Sequence, residues 1–269
     1  MKTSMHRSKT RILLKLLVSL WLISSFPSTL LALELKEHTA SYTASIKKGV
    51  SIKGSAVRSL SRIDDKQWLY RFEVESFIAD IKESTRLSSL MQKDPESPES
   101  THLHIIPSDY NYKLSAFLMS DRKRQVQFDW QNKTATSPIK KDKWTLTGIP
   151  ENTYDALSYQ LQLLIDVSEG KKEMTYQLAH KGRLRESVFV VLGEEVIETR
   201  FGKLNSIAAK KLRDDDAKRQ TYLWFSTDYP LLLLKMTQRE SDGEEYEIQL
   251  NEASIEGKAV NFAPFVIKQ

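Results

Sequence analysis

Residues Trp68-Leu69-Tyr70-Arg71-Phe72-Glu73-Val74-Glu75 alternate between two kinds of side chain. The even-numbered positions are aromatic or aliphatic, and the odd-numbered ones are mostly charged. Since neighbouring side chains of a strand point to opposite faces, this period of two predicts a strand with one aromatic face in a core. The alternation returns at residues 245–250, just after Asp242-Gly243, a pair typical of tight hairpin turns.

The chain between these two segments repeats the pattern. Short candidate strands lie at 42–46, 55–62, 103–106, 125–130, 174–179, 186–192, 208–212, 220–225 and 231–239, and turn-forming residues separate them. Many short strands with few helices predict a mainly antiparallel β fold. We expect a curved sheet that closes into a barrel or half-barrel.

One segment has helical spacing instead. From residue 152 to 167 the apolar side chains recur every three or four positions, as Tyr154, Leu157, Leu161 and Leu164 show. Asn152 or Thr153 is available as N-cap, and Gly170 follows the expected end. The pattern predicts one amphipathic helix over about 152–167, placed across an open side or one end of the sheet.

The first 32 residues differ from the rest. A basic segment is followed by an apolar run from Ile12 to Ile23 and by the small residue Ala32, the order of a cleavable secretory signal. We therefore expect a signal peptide at 1–32, a single β-rich domain at 33–269, a periplasmic location, and no membrane span after cleavage. The chain has no cysteine, so this domain depends on its core without disulfides.

Removing 1–32 changes the charge balance. That segment carries five of the 40 basic residues and no acidic one, so 35 basic and 35 acidic residues remain. Nucleic-acid binding needs a basic surface field, which a chain of zero net charge lacks overall. The sequence therefore argues against a nucleic-acid partner.

Several short motifs occur in a recognisable order. They are Tyr42…Gly49…Gly54, Ile106-Pro107-Ser108-Asp109-Tyr110, Val126-Gln127-Phe128-Asp129-Trp130, Tyr154-Asp155-Ala156-Leu157-Ser158, the run from Gly193 to Gly202, Thr221-Tyr222-Leu223-Trp224-Phe225-Ser226 and Tyr229-Pro230. Together they resemble an exported bacterial family known as domain of unknown function 3108, over roughly residues 38–255. The Pro-rich segment at 92–101 and Leu231-Leu232 depart from that pattern. The resemblance implies a signal-bearing, β-rich envelope protein and supplies no activity, cofactor or catalytic residue.

Polar constellations offer weaker alternatives. His102 and His104 could face one side of a strand and bind a metal, but the sequence places no third ligand beside them. Asp214-Asp215-Asp216 reads as a charged turn rather than a calcium loop. Glu194, Glu198 and Asp129 could act as paired carboxylates in polysaccharide hydrolysis, although exposed charged strands are far commoner.

These observations favour a non-enzymatic protein that binds an amphipathic envelope component, lipid or glycan. We predict no cofactor, no metal and no catalytic residue. The candidates for ligand contact are the aromatic residues of the strands: Trp68, Tyr70, Phe72, Phe128, Trp130, Tyr222 and Trp224. Two alternatives stay open, a structural or adaptor protein of an envelope complex with an unidentified partner, and a carboxylate-dependent polysaccharide hydrolase.

Overall fold

A computed structural model describes residues 33–48, 50–93, 100–117, 119–213 and 219–263. The expected signal peptide, the Pro-rich segment at 94–99 and the three aspartates at 214–216 lie outside these residues. In the described part the strands are β1 (His38–Lys48), β2 (Val50–Arg62), β3 (Gln67–Ser76), β4 (Ala79–Lys93), β5 (Thr101–Ala116), β6 (Met119–Asp129), β7 (Thr134–Ser137), β8 (Trp144–Thr147), β9 (Thr153–Tyr154), β10 (Glu173–His180), β11 (Arg183–Thr199), β12 (Gly202–Leu212), β13 (Gln220–Ser226), β14 (Leu233–Arg239), β15 (Glu245–Ile255) and β16 (Lys258–Ala259). The helix α1 spans Ser158–Ser168, and a short 3-10 helix spans Lys140–Asp142.

All described strands join one sheet. Its order is β8-β7-β6-β5-β4-β3-β2-β1-β15-β14-β13-β12-β11-β10-β9, with β16 paired to β15. Neighbours are antiparallel except for the short parallel contact between β9 and β10. The hairpin expected at Asp242-Gly243 joins β14 to β15, and Gly243 has the positive φ of 85° that such turns require. The predicted mainly antiparallel β fold is therefore confirmed.

The sheet curls around α1. Seven consecutive residues of the helix, 161–167, are buried, which covers every side of nearly two turns. The helix reaches strands far apart in the sheet: Gln160 contacts Arg58 on β2, and Asp166 contacts Tyr176 on β10. A helix can touch both only if the sheet wraps around it, so α1 fills much of the interior.

Local hydrogen bonds fix where α1 starts. Thr153 and Tyr154 pair with Gln177 and Leu178 as a strand, so the helix begins at Ser158 and not near Asn152 as predicted. Asp155 then accepts hydrogen bonds from the backbone N–H groups of Leu157 and Ser158, each 2.8 Å long. Its other oxygen accepts the hydroxyl of Thr85 on β4 at 2.9 Å. The C-terminal side agrees with the prediction, since Gly170 has φ 86° and its N–H bonds to the carbonyl of Val167.

Side chains of α1 also complete the hydrogen bonding of β5. Residues 101–107 of β5 extend beyond the pairing with β6, which begins at Asp109. The amide of Gln162 accepts from the N–H of Ile105 and donates to the carbonyl of Leu103, both at 2.9 Å. Glu169 accepts the N–H of Leu103 at 2.8 Å. The helix thus satisfies backbone groups that a further strand would otherwise pair.

Candidate functional site: a cation-lined apolar cavity

A cavity lies between α1 and the concave face of the sheet. Its volume is about 220 Å³, and its walls come from α1 and from strands β2, β3 and β11–β15. The apolar lining consists of Phe72, Tyr159, Leu163, Leu164, Phe189, Leu223, Phe225, Leu233, Met236 and Ile248. Three cationic side chains, Arg58, Lys211 and Arg213, share this lining, and none of the described lining residues is Asp or Glu. The cavity therefore has mostly apolar walls and a positive charge.

Arg58 is a buried cation, only 5% exposed, on the inner face of β2. It donates to the hydroxyl of Tyr70 at 2.9 Å and to the side-chain oxygen of Gln160 at 3.0 Å. Its guanidinium carbon lies 4.9 Å from the centre of the Phe72 ring. The Nε atom is buried and has no hydrogen-bond partner among the described residues. This guanidinium is held in place by neutral groups and retains one unused donor.

Lys211, at the end of β12, lies between aromatic rings. Its ammonium is 5.4 Å from the ring centre of Phe189 and 5.8 Å from that of Tyr159, and it donates to the hydroxyl of Ser187 at 2.9 Å. Burial lowers the pKa of Lys211 to about 8, and the nearby charge of Arg213 acts in the same direction. The site thus disfavours the charge that Lys211 carries at neutral pH.

Arg213 directly follows β12, at the end of that strand. It donates to the hydroxyl of Thr221 at 3.3 Å, while its Nε is buried without a hydrogen-bond partner in the described part of the chain. Burial is the main reason why its pKa is lowered. Burial raises the pKa of Tyr159, in the first turn of α1, and the charge of Glu83 acts in the same direction, whereas Arg58 and Arg213 act against it. All three cations line the same cavity as Tyr159.

The arrangement is suited to an anion with an apolar tail. Among the described residues none of the three cations has a carboxylate within ion-pair distance, although Glu83 acts on Arg58 and Glu240 on Arg213 at longer range. Burying such a cation is costly, and an entering anion would relieve part of that cost while using the vacant Nε–H groups. Hydrogen bonds between charged partners are about twice as strong as neutral ones. The leucine and phenylalanine walls offer the complementary surface for an alkyl chain.

The predicted aromatic residues of β3 face inward. Trp68 and Tyr70 are buried in the core, 4% and 0% exposed, and Phe72 lines the cavity. Tyr70 lies beside the cavity through its bond to Arg58. A ligand role for these residues stays a prediction, in which Phe72 would contact the ligand and Tyr70 would position Arg58.

The other predicted aromatic residues lie elsewhere. Phe128 and Trp130 stack with ring centres 5.5 Å apart at the edge of the core, and Trp130 donates to the carbonyl of Pro107. Tyr222 and Trp224 stack with each other on the face of β13 opposite to the cavity-lining Thr221, Leu223 and Phe225. The structure therefore does not bring these four residues into the cavity.

The two histidines have separate partners beside α1. His102 contacts the carboxylate of Glu169 at 2.9 Å, and His104 Nδ1 lies 3.2 Å from the hydroxyl of Tyr154. Burial lowers the pKa of His104, which favours the neutral ring. Within the described residues no group of three or more His, Asp or Glu side chains is arranged to hold a metal ion.

The candidate hydrolytic carboxylates are all exposed. Glu198 faces Lys203 at 3.7 Å, and Asp129 accepts hydrogen bonds from Asn132, which hold the pKa of Asp129 below its usual value. Glu194 lies four residues from Glu198 along β11, a separation of roughly 13 Å in a strand. None of the three lines the cavity.

The cations were missed because their sequence pattern is ambiguous. Lys210 and Lys211 are adjacent, and a period of two does not say which of them points inward. The structure turns Lys210 toward the outer Tyr222 ring and Lys211 into the cavity. The neighbouring strand gave no signal either, because both of its alternating sets, Thr221-Leu223-Phe225 and Tyr222-Trp224, are largely apolar.

A curled antiparallel sheet around one buried helix defines a β-barrel-like protein, and one solved structure agrees. A β-barrel-like protein of domain of unknown function DUF1849 from Brucella abortus superposes with a TM-score of 0.53 at 12% identity, covering 83% of this chain and 99% of that chain. A DUF1329 family protein from Desulfovibrio piger covers 82% and 85%, with 10% identity and a TM-score of 0.30, too low to support an argument. At these identities the likeness establishes the fold alone.

The family described as Protein of unknown function (DUF3108) matches residues 119–250. This match supports membership of the chain in the family and confirms the resemblance noted above. The matched part contains α1, Lys211 and Arg213, whereas Arg58 and Phe72 precede it. The curated proteins gave no match. Among the described residues, no helix has the length and apolar character needed to cross a membrane.

Proposed function

We propose that the protein binds a single-chain amphipathic anion, such as a fatty-acid anion, in the cavity beside α1. One observation carries this proposal: Arg58, Lys211 and Arg213 converge on an apolar cavity whose described lining holds no carboxylate. The head group would contact these cations, and the chain would lie against Leu163, Leu223 and their neighbours. Of the two envelope components that the sequence favoured, this lining fits a lipid rather than a glycan.

The size of the cavity limits the ligand. At about 220 Å³ it is smaller than the roughly 300–1,000 Å³ typical of sites for drug-sized ligands. It therefore suits one short alkyl chain and excludes a lipid with several chains from full enclosure. Each enclosed methylene adds about 0.8 kcal/mol, or nearly fourfold in affinity, until the cavity is full.

Calorimetric titration with the carboxylates from hexanoate to dodecanoate tests this function. Affinity should rise with each methylene and then level off, and decyltrimethylammonium, with the opposite charge, should bind at least about tenfold more weakly than decanoate. Equal binding of the two decyl compounds would contradict the proposal, since it would show that the cations play no part.

A matched pair of lysine variants locates the head group. Lys211→Met removes one charged donor from the cavity and should weaken decanoate binding about tenfold to a hundredfold. Lys210→Met, which changes the neighbouring lysine on the outer face, should leave the affinity unchanged. If both variants bind decanoate like the wild type, the ligand does not lie in this cavity.

The proposal includes a periplasmic location, supported by the order of basic, apolar and small residues in 1–32. The mass of the protein recovered from a periplasmic extract should correspond to a chain beginning near residue 33. A full-length chain recovered only from the cytoplasm would contradict the location without affecting the cavity.

A further inference from the structure

Two neighbouring hairpin tips expose large apolar side chains. Phe77 and Ile78 lie in the turn between β3 and β4, and Phe117 follows β5 directly. The exposed fractions are 93% for Phe77, 39% for Ile78 and 86% for Phe117. Such side chains contribute almost nothing to the core, so their exposure needs another explanation.

Hydrogen bonds hold the two tips next to each other. The N–H of Phe117 donates to the carbonyl of Ile78 at 3.1 Å. Ser76 fixes the first turn, since its hydroxyl donates to the carbonyl of Ala79 at 2.7 Å and accepts the N–H of Ala79 at 3.1 Å. The side chains of Phe77, Ile78 and Phe117 therefore form one exposed apolar point on a backbone that these hydrogen bonds fix.

A basic groove lies on the outer face just below the tips. Its volume is about 330 Å³, and its outward charged residues are Arg71, Lys82, Lys113 and Lys123, against Glu73. Lys82 pairs in register with Lys113, and Lys113 with Lys123. Because like charges placed directly opposite repel, this row is unfavourable until an anionic surface approaches. Glu75, Asp80 and Asp121 lie nearer to the tips and, with Glu73, equal these four cations in number, so the positive charge is confined to the lysine row and Arg71.

We infer that the tips and the groove form a docking surface for a bilayer that contains anionic phospholipids. The docking surface comprises Phe77, Ile78, Phe117, Lys82, Lys113 and Lys123. Lys82 lies three residues beyond Ala79, about 10 Å along the strand, so its charge meets the lipid phosphates when the phenylalanines enter the interfacial layer.

The area of the apolar point argues against a stable protein partner there. Two phenylalanines bury about 150–250 Å² each, whereas a specific protein interface needs about 800 Å² from each partner. Insertion into a lipid interface has no such minimum, and binding then adds the attraction of the lysines to anionic lipid.

The docking surface and the cavity lie at the same end of the sheet. Register pairs connect Ser76 to Gly54, Gly54 to Ala44, and Ala44 to Ile248 and then Met236, both of which line the cavity. Phe77 follows Ser76 directly. Docking would thus bring the end of the sheet near Arg213 toward the bilayer. The inference of a docking surface does not depend on whether the cavity binds a ligand.

Flotation of the protein, as recovered from the cell, with lipid vesicles tests the docking. The wild type should bind vesicles of phosphatidylglycerol and phosphatidylcholine more strongly than vesicles of phosphatidylcholine alone. Phe77→Ser with Phe117→Ser should lower the partition coefficient at least about tenfold, since each phenylalanine loses its transfer from water. The control, Leu192→Ser with Val196→Ser, changes exposed apolar residues elsewhere and should bind like the wild type.

Charge is tested separately. Lys82→Glu with Lys113→Glu should weaken binding to the phosphatidylglycerol vesicles and leave binding to pure phosphatidylcholine unchanged. The inference is overturned if the double serine variant binds phosphatidylglycerol vesicles as well as the wild type does. It is equally overturned if the wild type does not bind vesicles but forms a dimer, and the double serine variant is a monomer. Decanoate binding by the double serine variant should be unaffected, which separates this result from the proposed function.

Discussion

The role of Gln162 in closing the fold can be tested by replacing this residue with leucine. The side chain is 3% exposed and serves two backbone groups of β5, the N–H of Ile105 and the carbonyl of Leu103. In Gln162→Leu both groups stay buried without a partner, at about 1–3 kcal/mol each. Allowing for the added apolar contact of leucine, we expect a loss of about 3 kcal/mol in the free energy of unfolding.

Urea denaturation measures this loss. With a slope of about 2 kcal/mol per molar, the midpoint should fall by roughly 1.5 M. The control is Gln177→Leu, because Gln177 is only half-buried and bonds the exposed Glu186 at 3.2 Å. This variant should stay within about 0.5 kcal/mol of the wild type. Amide exchange at Ile105 should also accelerate in Gln162→Leu alone. A loss equal to that of the control would refute the claim that α1 acts in place of a strand.

Three further outcomes are expected. Burial lowers the pKa of Lys211 to about 8, so between about pH 8 and 10.5 the unfolded chain binds more protons and the stability of the wild type rises with pH. In urea melts Lys211→Met should therefore be more stable than the wild type at pH 7 and lose this difference by pH 10.5. A difference that does not change with pH would contradict the lowered pKa. Asp155→Ala removes the side chain that caps α1 and should lower the free energy of unfolding by about 3 kcal/mol in urea melts. A decrease of less than about 1 kcal/mol would argue against the capping role. In Gly54→Ala the new Cβ would lie 2.4 Å from the carbonyl oxygen of Glu75, so the free energy of unfolding obtained from thermal melts should fall by about 2 kcal/mol. An unchanged melting temperature would show that β2 and β3 can separate there without cost.

Much of the fold follows from local sequence patterns. The alternation at Trp68–Glu75 and the Asp242-Gly243 turn report strand and hairpin directly, because each depends on neighbouring residues alone. The start of α1 does not, since Thr153 and Tyr154 leave the helical pattern to pair with β10. Long-range pairing overrides local propensity there, and a single sequence does not reveal it.

The candidate site was less accessible to sequence reasoning. Aromatic residues suggested a lining, yet only Phe72 of the predicted set lines the cavity, because Tyr222 and Trp224 occupy the other face of β13. Arg58 and Lys211 resemble the solvent-facing members of an alternating strand. Their inward position depends on the register of several strands, which no local pattern specifies.

Nuclear magnetic resonance with decanoate tests the central claim most directly, because it locates the chain. We expect nuclear Overhauser effects between the ligand methylenes and the methyl groups of Leu163, Leu223 and Leu233, which line the cavity beside α1. Contacts confined to the exposed rings of Phe77 and Phe117, or no contacts at all, would contradict the account.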